Sequence, residues 1–136
     1  MKLVQAAPGE EAAVIDMLSA AFADYVKAAG RERAGPYTWL RAALEAGQIY
    51  WIDDGDTRVG ATNLSRNGTT LKIEQIGIHP DAQGLGIGGR ALAAIEDHAR
   101  SEGAFEVTLH AGQMFYRLVA FYSRHGYRVQ AVGPHP

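Results

Sequence analysis

The first part of the chain has an apolar pattern that predicts one strand and two helices. Lys2–Ala6 is typical of a short strand. Behind Pro8, apolar residues recur at helical spacing and form one face, at Val14, Leu18, Ala21, Phe22 and Tyr25. The pattern fails across Lys27–Tyr37, which we interpret as a loop or a broken helix. A second short helix is predicted over Thr38–Ala46, with Gly47 as its end.

The middle of the chain has the pattern of consecutive antiparallel strands. Gln48–Asp53 and Arg58–Ser65 flank the dipeptide Asp54-Gly55, which is typical of a tight hairpin. Asn67-Gly68 indicates a second hairpin, which leads into the long strand Thr69–His79. The two short turns place neighbouring strands side by side.

Helices and strands alternate in the last part of the chain. The predicted elements are a helix over Gly88–Arg100, a strand over Phe105–His110, a helix over Met114–His125 and a strand over Tyr127–Val132. The complete order is therefore β-α-α-β-β-β-α-β-α-β. This order predicts an α/β (α+β) protein with a single domain over residues 1–136.

Composition and charge exclude several kinds of site. The chain has no cysteine, so it has no disulfide, no thiolate metal ligand and no cysteine nucleophile. The formal net charge of −2 gives no indication of a nucleic-acid or membrane partner. No apolar run approaches the length of about 18 residues that a membrane span needs. The lack of cysteine and of a signal segment fits a cytoplasmic protein. The histidines show no paired metal-ligand spacing, so we expect no metal.

Four glycines precede the helix at Gly88–Arg100, at positions 84, 86, 88 and 89. The first N–H groups of a helix lack intrahelical partners, and the helix dipole makes that end partly positive. Glycine lets a bulky phosphate approach these groups without a Cβ in the way. A tight turn without a ligand would need only one or two glycines. The pattern therefore favours a phosphate site.

Two other phosphate motifs fit poorly. The spacing Gly84-x-Gly86-x-x-Gly89 has the letters of a dinucleotide-binding turn, which needs a parallel βαβ unit and a first glycine close to the strand end. Here five residues, His79–Gln83, intervene after an antiparallel strand. A triphosphate P-loop is excluded because Arg90 follows Gly89 where that motif has lysine.

Two separated motifs carry a resemblance to a known family. The hexapeptide QGLGIG, residues 83–88, matches the Gln/Arg-x-x-Gly-x-Gly/Ala signature of the GCN5-related N-acetyltransferase (GNAT) superfamily. Ala120–Val129 resembles that family's second block, and the element order is similar over essentially the whole chain. The resemblance implies the GNAT fold, a mixed central sheet of about six strands flanked by helices. It also implies acetyl-CoA as co-substrate.

The resemblance implies a set of cofactor-binding residues. The backbone N–H groups of the glycine turn would bind the pyrophosphate, Arg90 would add a charged contact, and the strand near Ile76 and Ile78 would bind pantetheine. The complete set is Ile76, Gly77, Ile78, Gln83, Gly84, Leu85, Gly86, Ile87, Gly88, Gly89 and Arg90.

Tyr122 and Glu74 are the candidate catalytic residues. Tyr122 resembles the family's tyrosine that protonates the leaving thiolate, although its helical spacing also fits simple packing. Glu74 resembles a glutamate base and would share a strand face with Ile76 and Ile78. Alternatively, Glu74 is a solvated or cross-strand-paired acid, and Lys72 could neutralise it. The oxyanion donor would be a backbone N–H near Ile76 or Gly77.

The acceptor is expected to be a primary amine of a small molecule or a peptide. Asp24–Tyr37 lies where the family builds its acceptor site, and its cations are Lys27, Arg31 and Arg33. Four aromatic residues would line the amine pocket or belong to the core, namely Tyr37, Trp39, Tyr50 and Trp51. An exposed sheet edge at Tyr127–Val132 predicts a homodimer.

Two alternative functions stay open at this point. One is a CoA-binding module that has this fold and no catalysis. The other is acyl transfer to a hydroxyl group, or from a longer acyl-CoA. Fold alone does not decide among these activities.

Overall fold

The computed structural model describes residues 1–23, 37–84 and 86–109. The strands are β1 (Lys2–Gln5), β2 (Ile49–Asp54), β3 (Thr57–Asn67), β4 (Thr70–Ile78) and β5 (Glu106–Leu109). The helices are α1 (Glu11–Ala21), α2 (Leu40–Glu45) and α3 (Ile87–Ser101), with short 3-10 turns at Pro8–Glu10 and Pro80–Ala82. The helix predicted over 114–125 and the strand predicted over 127–132 lie outside these residues.

The strands form one mixed sheet in the order β1-β2-β3-β4-β5. The pairs β1–β2, β2–β3 and β3–β4 are antiparallel, and β5 runs parallel to β4. Gly55 and Gly68, each with φ of +62°, occupy the two predicted hairpin turns. The structure thus confirms the predicted elements within the described residues, with small shifts at their ends, and the mixed α+β fold.

Helices cover both faces of the sheet, and we call these the α1 face and the α3 face. The α1 face is covered by α1 and α2, with a buried cluster of Ala6, Val14, Leu18, Leu40, Ala43, Leu44, Ile49, Trp51 and Ala61. The α3 face buries α3 residues such as Leu92 and Ile95 against Leu64 and Ile73 of the sheet. The core therefore consists of two layers with the sheet between them.

A bulge interrupts the pairing of β3 with β4. Asn63 is opposite Gln75 and Leu64 is opposite Ile73, so Glu74 has no residue opposite it on β3. One extra residue in a strand breaks the strict alternation of side chains between the two faces. Side chains therefore do not alternate regularly between the two faces of the sheet across the bulge. A prediction that assumes regular alternation assigns the wrong face to a residue there.

Candidate functional site

The glycine turn at the start of α3 has the backbone conformation that its composition predicts. Gly84 has φ of +83° and Gly86 has φ of +73°, a region that side chains with a Cβ rarely adopt. In the part of the chain that the structure describes, a Cβ built on either glycine would meet nothing within 4 Å. The turn therefore has open space where a side chain would stand, and the backbone conformation requires glycine.

The first turn of α3 presents backbone donors at this opening. The helix starts at Ile87, and no side chain caps its N-terminus at Gly86. The N–H of Arg90 already bonds to the carbonyl of Gly86 at 3.2 Å, which leaves the N–H groups before it outside the helical ladder. These donors and the helix dipole suit an anion. The open turn thus fits a pyrophosphate group.

Hydrogen bonds fix the connection from β4 to this turn. The N–H of His79 bonds to the carbonyl of Val59 at 2.8 Å, and His79 Nδ1 accepts the N–H of Asp81 at 3.1 Å. The amide of Gln83 donates to the carbonyl of Ile78 at 2.9 Å. Gln83, a predicted cofactor residue, therefore holds the turn against the end of β4.

Arg90 is engaged with another partner at this end of α3. Its two terminal nitrogens bind the two carboxylate oxygens of Asp54 at 2.7 and 3.2 Å. Asp54 is the last residue of β2. The predicted contact between Arg90 and a phosphate therefore competes with an ion pair that the structure contains.

The other predicted cofactor residues lie on the last part of β4. β4 ends at Ile78, and the 3-10 turn Pro80–Ala82 connects it to the glycine turn. Ile76, Gly77 and Ile78 are thus brought to the same edge as the glycine turn.

Gly77 has a packing role as well. A Cβ at Gly77 would lie 2.8 Å from the Cβ of Ala21 and 3.3 Å from a methyl group of Leu18. Glycine therefore lets α1 pack directly on the backbone of β4. No sequence pattern indicated this close approach, because it depends on the arrangement of two distant elements.

The predicted face of Glu74 is wrong. Ile76 and Ile78 pack against the clusters of the α3 face. Glu74 instead accepts a hydrogen bond from Ser65 Oγ at 2.7 Å and lies 3.5 Å from Lys72 Nζ. The cause is the bulge at Glu74, since an extra residue shifts the alternation on which the prediction rested.

Both carboxylate oxygens of Glu74 have partners. Oε1 binds Ser65, and Oε2 faces Lys72. A proton acceptor role for Glu74 would therefore require one of these two partners to move away. The neutralisation by Lys72 considered from the sequence is present in the structure.

Sequence reasoning missed a buried polar group beside the bulge. The side chain of Asn63, 6% exposed, donates to Gln75 Oε1 at 2.9 Å, and Thr62 Oγ1 donates to the carbonyl of Gln75 at 2.7 Å. Among the described residues, Asn63 Oδ1 has no partner. The only signal was a pair of polar residues between the apolar residues Ala61 and Leu64.

The four aromatic residues have different surroundings. Trp51 is 2% exposed and belongs to the core of the α1 face, where Arg58 stacks on its ring at 4.4 Å from the centroid. Tyr37 and Trp39 pack against the same core, in edge contact at 5.8 Å. Tyr50 lies on the α3 face against His98, at 4.9 Å. The two strand residues, Tyr50 and Trp51, therefore face opposite sides of the sheet.

Several predicted site residues lie outside the described part of the chain. They are Tyr122, Leu85, the acceptor-segment cations Lys27, Arg31 and Arg33, and the dimer edge at 127–132. In the ranges that are described, no group of three or more histidine or acidic residues could hold a metal ion. The described helices include none that is both long and apolar enough to cross a membrane.

Comparison with solved structures gives related folds over nearly the whole chain. An N-acetyltransferase from Thermoplasma acidophilum, in complex with coenzyme A, has a TM-score of 0.77 at 15% identity, covering 97% of this chain and 92% of its own. The BH1408 protein from Bacillus halodurans, as a tetramutant, has a TM-score of 0.75 at 18% identity, covering 100% and 99%.

A third similar structure is an aminoglycoside acetyltransferase from an uncultured soil metagenomic sample, in complex with sisomicin. Its TM-score is 0.72 at 16% identity, and the match covers 99% of this chain and 94% of that one. At these identities the likeness shows the fold. The sequence has no match among curated proteins.

A family model provides the assignment that structural likeness alone does not. The model of the acetyltransferase (GNAT) family matches residues 13–127, which include the glycine turn and residues 120–127 of the second block. The match confirms the family and the enzyme class predicted from the sequence. By this match and by its fold, the chain belongs to the GNAT family of acetyltransferases.

Proposed function

We propose that this protein transfers the acetyl group of acetyl-CoA to a primary amine of a small molecule or a peptide. The observation that carries the proposal is the open glycine turn at the start of α3, where a Cβ on Gly84 or Gly86 would meet nothing within 4 Å. The related enzyme from Thermoplasma acidophilum, which is in complex with coenzyme A, supports the same ligand.

In this proposal the backbone binds the cofactor's phosphates. The N–H groups of residues 85–89 would bind the pyrophosphate, and Gln83 holds the turn to β4. Glycine keeps these groups accessible, and the positive φ of Gly86 turns the chain into the helix. Affinity at this site thus comes from fixed backbone dipoles.

The last part of β4 holds the pantetheine arm in this proposal. The backbone of Ile76, Gly77 and Ile78, at the end of β4 that leads to the glycine turn, would supply hydrogen-bonding groups to this arm. A ligand arm there would add to the sheet as a strand does. A backbone N–H at Ile76 or Gly77 would bind the oxyanion.

The reaction needs a neutral amine, an oxyanion donor and a proton for the leaving thiolate. Acetyl-CoA supplies the activated acetyl thioester. The amine nitrogen bonds to the acetyl carbon, the carbon–sulfur bond breaks, and the amine gives up one proton. Tyr122 is the proposed donor of a proton to the thiolate. Glu74 would accept the amine's proton, directly or through water, once Ser65 or Lys72 releases its carboxylate.

The test is a turnover screen with acetyl-CoA across classes of primary amine. Release of free thiol and the mass of the acetylated product are measured together, with Tyr122→Phe as the matched variant. We expect acetylated product in at least one amine class and slower turnover in the variant. Binding of CoA without product in any class would contradict the proposal, and so would transfer only to hydroxyl groups.

A further inference from the structure

We propose that Asp54 is a positioning residue for the cofactor site and that it acts through Arg90. This inference rests on the proposed function, since it concerns how the phosphate-binding turn is held. Asp54 lies at the β2–β3 hairpin and Arg90 lies in the first turn of α3, 36 residues further along the chain.

The contact between them is a two-point pair. Arg90 Nη2 donates to Asp54 Oδ1 at 2.7 Å, and Nη1 donates to Oδ2 at 3.2 Å. A guanidinium fork on a carboxylate fixes orientation as well as distance. The pair therefore restrains both the position and the rotation of the first turn of α3 relative to the hairpin.

The restraint reaches the phosphate site through the backbone. The N–H of Arg90 bonds to the carbonyl of Gly86, so Arg90 closes the same helical turn that presents the free donors. Next to the ion pair, Ile87 and Ala91 pack against Ile52 and Val59. Polar and apolar contacts thus hold this turn in one place, and preorganised donors lose less freedom when a ligand binds.

Charge explains why Arg90 needs this partner. A cation in the first turn of a helix is unfavourable, because the dipole is positive there. Asp54 compensates that charge, and both of its carboxylate oxygens bind the terminal nitrogens of the fork. The end of the guanidinium formed by Nη1 and Nη2 is held by Asp54, and the free N–H groups of the helix start belong to the backbone. The geometry therefore assigns phosphate binding chiefly to the backbone and positioning to the ion pair.

The adjacent Asp53 provides a matched control. It pairs with a different arginine, Arg58, at 3.0 Å, and Arg58 stacks on Trp51 of the α1 face. Asp53→Asn therefore removes a carboxylate from the same hairpin and breaks an ion pair of the same kind. It leaves the pair at α3 intact.

The experiment measures CoA affinity by calorimetry for the wild type, Asp54→Asn, Arg90→Gln, their double variant and Asp53→Asn. We expect the first three variants to weaken CoA binding equally, by about two- to fivefold, as for a partly exposed ion pair. In turnover, KM for acetyl-CoA rises by that factor while kcat stays the same. Asp53→Asn keeps the wild-type affinity.

Other results would overturn the inference. If Asp54→Asn binds CoA more tightly while Arg90→Gln binds it more weakly, Arg90 is a phosphate ligand and Asp54 competes for it. If Asp54→Asn lowers the melting temperature at unchanged affinity, the pair serves stability alone. In both of these results the wild type still binds CoA, so the proposed function stands. Absence of CoA binding by the wild type would contradict the proposed function as well.

Discussion

At the scale of single residues, the phosphate turn depends on glycines with a left-handed backbone. Gly86 combines φ of +73° with its place directly before the first residue of α3. A side chain there adds backbone strain and places a methyl group at the opening. Gly68 has a similar φ of +62° and equally open surroundings, but it lies in the β3–β4 hairpin.

We therefore expect Gly86→Ala and Gly68→Ala to lower the free energy of unfolding by a similar amount, about 1–2 kcal/mol each. Only Gly86→Ala should also weaken CoA binding, because only that methyl group lies in the proposed phosphate site. Chemical denaturation and calorimetry measure the two effects separately. Equal CoA affinity in both variants would contradict the site.

Glu10 is a second residue whose role is local. Its carboxylate accepts the N–H of Ala7 at 2.9 Å and Trp51 Nε1–H at 3.2 Å. The bond from Ala7, and after it the bond from Trp51, lower the pKa of Glu10 below its ordinary value of 4.5. Desolvation raises this pKa, and the charge of Arg58 lowers it further.

A lowered folded-state pKa contributes stability above the unfolded pKa, and that contribution is lost as the pH falls through the folded value. We expect Glu10→Gln to reduce the melting temperature at neutral pH. Its difference from the wild type should shrink as the pH falls below 4.5. Melting curves from pH 7 to pH 3 measure this, with Glu45→Gln as control. A constant difference at all pH values would contradict the assignment.

At the scale of elements, α1 packs closely on β4 on the α1 face of the sheet. The helix contacts the strand backbone at Gly77, where a Cβ would lie 2.8 Å from Ala21 Cβ. Interiors are packed too densely to absorb an added methyl group without shifts of backbone. Glycine at position 77 therefore allows α1 and β4 to pack this closely.

We expect Gly77→Ala to destabilise the protein by about 1–3 kcal/mol, as overpacked cores do. The double variant Gly77→Ala with Ala21→Gly should be less destabilised than the sum of the single changes, because it removes the clashing methyl group. Gly9→Ala, where a Cβ meets nothing within 4 Å, serves as control. Additive effects in the double variant would show that the two residues are not in contact.

At the scale of the whole molecule, the proposed ligand would connect the turn at α3 with the edge of β4. A ligand that binds only the folded state stabilises it by mass action, by about 2.7 kcal/mol at a free concentration one hundred times its Kd. We expect CoA to raise the melting temperature in a concentration-dependent way, and Gly86→Ala to require more CoA for the same shift. No shift at millimolar CoA would contradict the proposed function.

Local pattern was sufficient for much of this protein. Turn chemistry placed the hairpins at Asp54-Gly55 and Asn67-Gly68, because each needs a residue with positive φ. The glycines before α3 predicted an open turn, and two motifs predicted the family, which the match to residues 13–127 confirms. Such signals are readable because short-range backbone preferences determine them.

Tertiary structure alone decided the rest. The bulge at Glu74 depends on the register of β3 against β4, so the predicted face of that residue was wrong. Arg90 has Asp54 as its partner because folding brings together the hairpin and the start of α3. The need for glycine at position 77 arises only when α1 lies on β4. Each of these depends on residues distant in sequence, whose contacts no local pattern encodes.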